Sequence, residues 1–226
     1  MPTMTDNAAI VQFANACKAT VHQKWSTFAS GQQRAQKLYE NTMLVLDICN
    51  VPRPTLQLDA NLGGASGLFD FPRWRLKIDP NGFGQAPVPD KDAFLTLVTL
   101  IYHEARHCEQ WYHMARYAAV GHQMTAQQLA ASLFIPQNIA ATAMTRKMGL
   151  NDPMLALTKG WYESVYGGKS GFRAINLQGL MLRRTGGARE MNAFRSGFHS
   201  RYKGNLPEEV DAWAIQDSVA AHYTYP

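Results

Sequence analysis

His103-Glu104-Ala105-Arg106-His107 forms an HExxH pattern inside an apolar stretch of the chain. Two histidines four positions apart on an α-helix are related by a turn of about 400°, so both rings project from one face and can bind one metal ion. This spacing is typical of a zinc site, and Zn²⁺ is the expected cofactor. Glu104 cannot join the two histidines on the metal and is expected to act as a general base towards a metal-bound water.

The residues before the motif are apolar on most sides of a helix. They are Phe94, Leu95, Leu97, Val98, Leu100 and Ile101. Such a helix is expected to run through the centre of a domain. The alternative is a chance HExxH on an exposed helix with two solvated histidines. The apolar run argues against it, because polar groups at the edge of a core are costly when unpaired and metal ligation relieves that cost.

Length and composition indicate an ordinary globular protein. The chain has 226 residues, 46% of them hydrophobic, and a single domain over residues 1–226 is expected. Neither a signal peptide nor a membrane span is predicted, so the default localisation is cytoplasmic, with export by a specialised secretion system as the alternative. The net charge of +5 permits an acidic partner, but nucleic acid is not the favoured one. Cys17, Cys49 and Cys108 are widely spaced and are predicted to be buried free thiols.

The first fifty residues carry apolar side chains at helical spacing. This pattern predicts amphipathic helices over residues 8–29 and 32–49, the second ending before Pro52. His22, on the first helix, is expected at the surface or at a helix end rather than on a metal.

Alternation with a period of two follows and predicts three short strands, over residues 55–59, 65–70 and 73–79. In the third strand the apolar residues from Trp74 to Ile78 are expected on the core side and the basic residues on a wet face. A loop then leads to the central helix, with Asp90 as its N-cap.

The order of these elements, helices followed by a small sheet and a buried HExxH helix, resembles the zincin metallopeptidases over residues 55–113. Residues 107–110 extend the pattern to HExxHxxQ, which is similar to the small minigluzincins. The resemblance implies an α+β fold, mainly helical, with an antiparallel or mixed three-stranded sheet packed on the HExxH helix. It also implies hydrolysis of peptide bonds, with the substrate backbone added to an edge strand above the metal.

Zincins need a third protein ligand, and His113 is one candidate. It has the spacing of the metzincin pattern HExxHxxGxxH, but Gln110 stands where that pattern has the glycine that turns the chain out of the helix. In a continuing helix, His113 would lie about 240° round from His107 and away from the metal. A surface or packing role is therefore preferred for His113.

The other candidate lies in residues 205–213, where Asn205 is a potential cap and Pro207 suits the first turn of a helix. Glu209 and Ala212 match the ExxA element of gluzincins. The resemblance therefore implies Glu209 as the third metal ligand, with Asp211 as the alternative. Glu208 is explained as an acid favoured by the helix dipole.

The interval between His107 and Glu209 is longer than a compact gluzincin needs. It is interpreted as a helical insertion at about residues 121–200, with helical spacing over residues 125–132, 139–148 and 151–166. Residues 183–203 are basic and are interpreted as a solvated loop, the alternative being a surface for an anionic partner.

Together these patterns predict a zinc-dependent metallopeptidase that acts on a peptide or protein substrate, with His103, His107 and Glu209 as ligands and Glu104 as the base. His199 and Tyr202 are candidates for stabilising the oxyanion. Two alternatives stay open: an exported effector or toxin that cleaves cell-wall peptides or host proteins, and a non-catalytic zinc-stabilised binding module. Retention of Glu104 argues against the binding module, because a structural zinc site has no use for a base.

Overall fold

The computed structural model describes residues 2–62, 65–84, 88–121, 124–167 and 206–224. The α-helices in these ranges are α1 (Asn7–Cys17), α2 (Gly31–Ile48), α3 (Lys91–Gly121), α4 (Ala126–Leu133), α5 (Gln137–Thr145), α6 (Leu155–Tyr166) and α7 (Pro207–His222). The strands are β1 (Thr55–Leu58), β2 (Gly67–Asp70) and β3 (Arg75–Ile78). The predicted α+β class, mainly helical with a small three-stranded sheet, is confirmed.

The sheet has the strand order β1-β3-β2. Strand β3 pairs in parallel with β1 and antiparallel with β2, so the sheet is mixed. Leu76 and Ile78 are buried and Arg75 is exposed, as the alternating pattern predicts for a sheet with one wet face. Strand β2 lies at one edge of this sheet and packs on α3.

Helix α3 forms the centre of the described structure and packs against α2, α4, α5, α6, α7 and the sheet. Every residue from Ile101 to Arg116 is buried. Its start agrees with the prediction, because the Asp90 carboxylate accepts a hydrogen bond of 2.8 Å from the Ala93 backbone N–H. The HExxH motif is therefore held on a rigid, buried helix.

The predicted continuous helix over residues 8–29 is wrong. Helix α1 ends at Cys17 and is followed by a π-helical turn at Lys18–His22 and a 3₁₀ turn at Trp25–Thr27. Within the π-helical turn, the Thr20 hydroxyl donates a 2.8 Å hydrogen bond to the Ala16 carbonyl and competes with the regular helical pattern. His22 is the last residue of this turn, so its predicted place at a helix end is correct, but it is buried against Phe94 and Tyr223 rather than at the surface.

The other local predictions agree closely with the structure. Helix α2 starts one residue before the predicted segment, with the Ser30 side chain accepting a hydrogen bond from the Gln33 backbone N–H. The three cysteines are free and buried. No helix within the described ranges combines the length and the apolar character needed to cross a lipid bilayer.

Helices α4, α5 and α6 occupy the described part of the interval that the sequence marks as an insertion, and all three pack on α3. Helix α6 begins at Leu155 rather than at residue 151, because Asp152 forms a turn that accepts the Met154 and Leu155 backbone N–H groups. The basic stretch at 183–203 and the proposed cap Asn205 lie outside the described residues.

Candidate metal centre

His103 and His107 occupy successive turns of α3, and both side chains are buried. Their Nε2 atoms are 3.2 Å apart, and the two rings are nearly perpendicular at 86°. The helical spacing of the motif therefore brings the two nitrogen atoms to one point, as expected.

Glu209 reaches the same point from α7, which packs along α3. Pro207 is at the first position of α7, as predicted, and this places Glu209 in the first turn. One carboxylate oxygen of Glu209 lies 3.2 Å from His107 Nε2, and the other lies 3.9 Å from His103 Nε2. Ligand atoms of these three buried residues lie within 4.8 Å of one another.

The donor set and its spacing fit a metal ion. Tetrahedral zinc with bonds of roughly 2.0–2.1 Å holds its ligand atoms about 3.3 Å apart, close to the separations of 3.2 Å and 3.9 Å found here. The adjacent Glu104 carboxylate is buried too. Two buried carboxylates in one site are costly, and a bound cation offsets that cost. The three residues can therefore hold a metal ion.

The pKa values of the two histidines are shifted in opposite directions. Burial, reinforced by the neighbouring His107, lowers the pKa of His103 to about 4. Burial alone would also lower the pKa of His107, but its hydrogen bond with Glu209 and the charge of that carboxylate raise it to about 9. His103 thus offers a free nitrogen lone pair at neutral pH, and a cation at the site would displace the His107 proton.

Glu104 lies beside these ligand atoms but is not one of the metal-binding group. Burial raises the pKa of Glu104 to about 7, with the nearby Glu209 adding to the shift and His107 and the Phe69 backbone opposing it. Strand β2 lies directly over this side chain, since a Cβ atom added at Gly67 would stand 3.0 Å from Glu104 Cγ. Glu104 is therefore enclosed between α3 and the edge of the sheet.

The outer edge of β2 offers backbone groups next to Glu104. The Asp79 N–H bonds to the Ser66 carbonyl, and the antiparallel register then pairs Leu68 with Lys77. Because hydrogen-bonded and non-bonded pairs alternate in an antiparallel ladder, the backbone groups of Gly67 and Phe69 point away from β3. The Phe69 backbone contacts the Glu104 carboxylate, which places this edge at the candidate metal centre.

Asp211, the alternative third ligand, is not part of the metal-binding group. Its carboxylate accepts hydrogen bonds from the Arg106 guanidinium at 2.7 and 3.2 Å and from the Gln110 amide at 2.7 Å. Positions 209 and 211 differ by about 200° round a helix, and Arg106 holds Asp211 on the side away from the histidine nitrogens. The structure thus excludes Asp211 from the ligand group.

Sequence reasoning missed the part that Gln110 plays. Its side-chain oxygen lies 2.8 Å from His107 Nδ1, and its amide nitrogen donates 2.8 Å to the Glu208 carbonyl. The spacing of three between His107 and Gln110 on one helix was the available signal, because side chains at i and i+3 are neighbours.

His113 is buried and has no place in the metal-binding group. Its Nδ1 lies 2.9 Å from Arg116, and its Nε2 lies 3.7 Å from the Glu109 carboxylate. The helix continues through Gln110 without the turn that a metzincin needs. The predicted packing role is therefore the one that the structure shows.

Two further residues of α7 border the centre. Glu208, interpreted from the sequence as a dipole-favoured acid, is buried, and burial raises the pKa of its carboxyl group. Trp213 is 44% exposed, and its ring lies 4.8 Å from the His103 ring. The oxyanion candidates His199 and Tyr202 lie outside the described residues.

A scan against protein-family models found no match, and searches of curated proteins and of solved structures found none either.

Proposed function

We propose that the chain is a zinc-dependent metallopeptidase of the zincin type, with a gluzincin-like ligand set. The observation that carries the proposal is the convergence of His103, His107 and Glu209 beside a buried Glu104, next to β2, which is an edge strand of the sheet that the described residues form. Ligands, base and backbone edge come from three separate elements of the fold, and a peptidase site needs all of them together.

Two imidazole nitrogens and one carboxylate form a typical ligand set for catalytic zinc, which keeps its fourth position for water or substrate. When bound, zinc supplies a Lewis acid that polarises the substrate carbonyl and makes water acidic enough to lose its proton near neutral pH. No further His, Cys, Asp or Glu of the described residues joins the group. A structural zinc site, by contrast, usually has its fourth position filled by Cys or His.

Glu104 is placed to accept the proton of the attacking water and to pass it to the leaving amine. Burial raises the pKa of Glu104, and a carboxylate beside the attacking water can take its proton as a general base. Its contact with the Phe69 backbone limits the movement of the carboxylate. Glu104 therefore acts as the catalytic base and acid.

An extended peptide is the substrate class that the register of β2 favours, because the Gly67 backbone groups point away from β3. The Gly67 backbone N–H and C=O and the Phe69 C=O can pair with a substrate backbone as an added strand, while the Phe69 N–H is held by the Glu104 carboxylate. Such pairing would hold a peptide carbonyl close to Glu104 and the ligand atoms. Trp213, exposed beside His103, provides an apolar surface for a neighbouring substrate side chain.

Cleavage of proteins in a cell lysate provides the test, with Glu104→Gln as the matched control. This variant keeps the size and polarity of the side chain but removes its proton acceptor, so it should keep zinc and the wild-type melting temperature. New protein termini, identified by mass spectrometry, should appear with the zinc-loaded wild type and be absent with Glu104→Gln. The proposal fails if both proteins give the same termini, or if neither cleaves lysate proteins or a broad peptide library.

A further inference from the structure

We propose that Arg106, acting through Asp211 and Gln110, fixes which ring nitrogen of His107 faces the metal position. The three residues are positioning residues, and the inference deepens the proposed function because it rests on the same metal centre. It follows from the direction in which each hydrogen bond of the chain can run.

Arg106 sets the direction because a guanidinium group can only donate hydrogen bonds. It is fully buried, and its Nε and Nη2 atoms donate to the two carboxylate oxygens of Asp211 at 2.7 and 3.2 Å. An ionised carboxylate has no proton to give. Asp211 therefore presents only acceptor oxygens to its other neighbour, Gln110.

The side-chain amide of Gln110 has one orientation that satisfies its neighbours. Its nitrogen lies 2.7 Å from Asp211 Oδ2 and 2.8 Å from the Glu208 carbonyl oxygen. Both partners are acceptors, so both amide hydrogens are used there. A flipped amide would place its oxygen against two other oxygens and leave its own donors without these partners.

The oxygen of Gln110 is then left for His107, whose Nδ1 lies 2.8 Å away. This oxygen can only accept, so His107 Nδ1 must carry a proton. In the neutral ring the lone pair is consequently on Nε2, the atom that lies 3.2 Å from both His103 Nε2 and Glu209 Oε1. The hydrogen-bond chain thus prepares Nε2 as the metal-binding atom.

Arg106 itself has little freedom to turn away. Its Nη1 bonds to the Glu109 carboxylate, and its guanidinium lies over the Trp161 ring at 5.1 Å. Glu109 is held in turn by the Met4 backbone N–H at 3.1 and 3.2 Å. Contacts from α6 and from the N-terminal segment therefore fix Arg106, the first residue of the series of hydrogen bonds that ends at His107.

The test is a double-mutant cycle on zinc affinity, measured by competition with a chromophoric chelator. Gln110→Met removes the acceptor for His107 but leaves the Arg106–Asp211 pair intact, and Asp211→Leu removes the link between Arg106 and Gln110. Each variant should bind zinc about 10- to 100-fold more weakly, as is usual when a partner of a ligating histidine is lost. The double variant should be no weaker than Gln110→Met alone, because both act through one path. Asp217→Leu, on the exposed side of α7, is the matched control and should keep wild-type affinity.

A second readout is the tautomer of His107 in the zinc-loaded protein, from long-range ¹H–¹⁵N correlation spectra. The expected result is a proton on Nδ1 and zinc on Nε2. The inference would be overturned by zinc bound to Nδ1, by an unchanged zinc affinity in Gln110→Met, or by losses of zinc affinity that add in the double variant. If Asp211→Leu does not fold, the zinc affinity of Gln110→Met alone still tests the inference. A wild type that binds zinc with the expected tautomer but cleaves no peptide would contradict only the peptidase proposal. A wild type that binds no zinc would overturn both.

Discussion

Replacing Gly67 by alanine should disturb Glu104 without touching a metal ligand. A Cβ atom at position 67 would stand 3.0 Å from Glu104 Cγ, 3.0 Å from Leu100 Cδ1 and 3.3 Å from Glu104 Oε1. Contacts this short require the neighbours to move by a few tenths of an ångström. Leu100 is only half-buried and can yield, whereas Glu104 is buried between β2 and α3.

The expected loss of stability follows from the different freedom of Leu100 and Glu104 to move. Overpacking a close contact costs about 1–3 kcal/mol, and the yielding Leu100 end places Gly67→Ala in the lower half, at about 1–2 kcal/mol. The reduced freedom of the unfolded chain offsets roughly 0.5–1 kcal/mol of this, so the free energy of unfolding should fall by about 1 kcal/mol. Because a misplacement of about 1 Å can cost 10²-fold in rate, a shift of a few tenths of an ångström should lower kcat by roughly tenfold. Zinc affinity should not change, since the added methyl group meets no ligand atom.

Urea denaturation, peptide hydrolysis and zinc competition measure the three quantities on one preparation. Gly160→Ala is the matched control, because a Cβ atom there meets nothing within 4 Å and the residue lies inside α6. This control should gain roughly 0.5–1 kcal/mol from the reduced freedom of the unfolded chain. A Gly67→Ala variant as stable and as active as the wild type would show that β2 does not pack closely against the Glu104 side chain.

Three further predictions concern the metal and the substrate. Chelation should lower the melting temperature, and zinc should restore it, because a ligand of the folded state at about 1,000 times its Kd contributes about 4 kcal/mol; scanning fluorimetry that shows no shift in either direction would argue against a metal in the fold. Glu209→Ala should lose zinc affinity by orders of magnitude while His113→Ala keeps it, and chelator competition giving the reverse order would make the site metzincin-like. Trp213→Ala should raise KM for peptides with a bulky apolar residue next to the cleaved bond while zinc content stays constant; an unchanged KM across a peptide series would remove Trp213 from the substrate surface.

Local spacing predicted the part of the site that lies on one helix. The positions of His103, Glu104 and His107 relative to one another follow from helix geometry, and Asp90 marks the start of the helix by its capping chemistry. Local patterns also predicted the three strands, although only hydrogen-bond pairing shows that the sheet is mixed.

Contacts between distant parts of the chain were harder to derive. Whether Glu209 or Asp211 faces the histidines depends on the rotation of α7 against α3, and the Arg106–Asp211 pair that identifies this rotation joins residues far apart in sequence. Similarly, the helical spacing of apolar residues continues through residues 18–27, but the structure has a π-helical turn there. That turn is accompanied by the Thr20–Ala16 hydrogen bond and by the packing of His22 and Trp25 on Phe94. Tertiary packing overrides the local pattern in this second case, whereas the rotation of α7 agrees with the ligand that the ExxA spacing favoured.

The most direct test of the metal centre is anomalous X-ray diffraction at the zinc edge from crystals of zinc-loaded protein. One strong peak is expected, at roughly 2.0–2.2 Å from His103 Nε2, His107 Nε2 and a carboxylate oxygen of Glu209. Asp211 should remain hydrogen-bonded to Arg106, and His113 should remain hydrogen-bonded to Arg116. A fully loaded crystal with no peak between the two histidines, or with zinc bound to His113 or Asp211, would contradict the proposed centre.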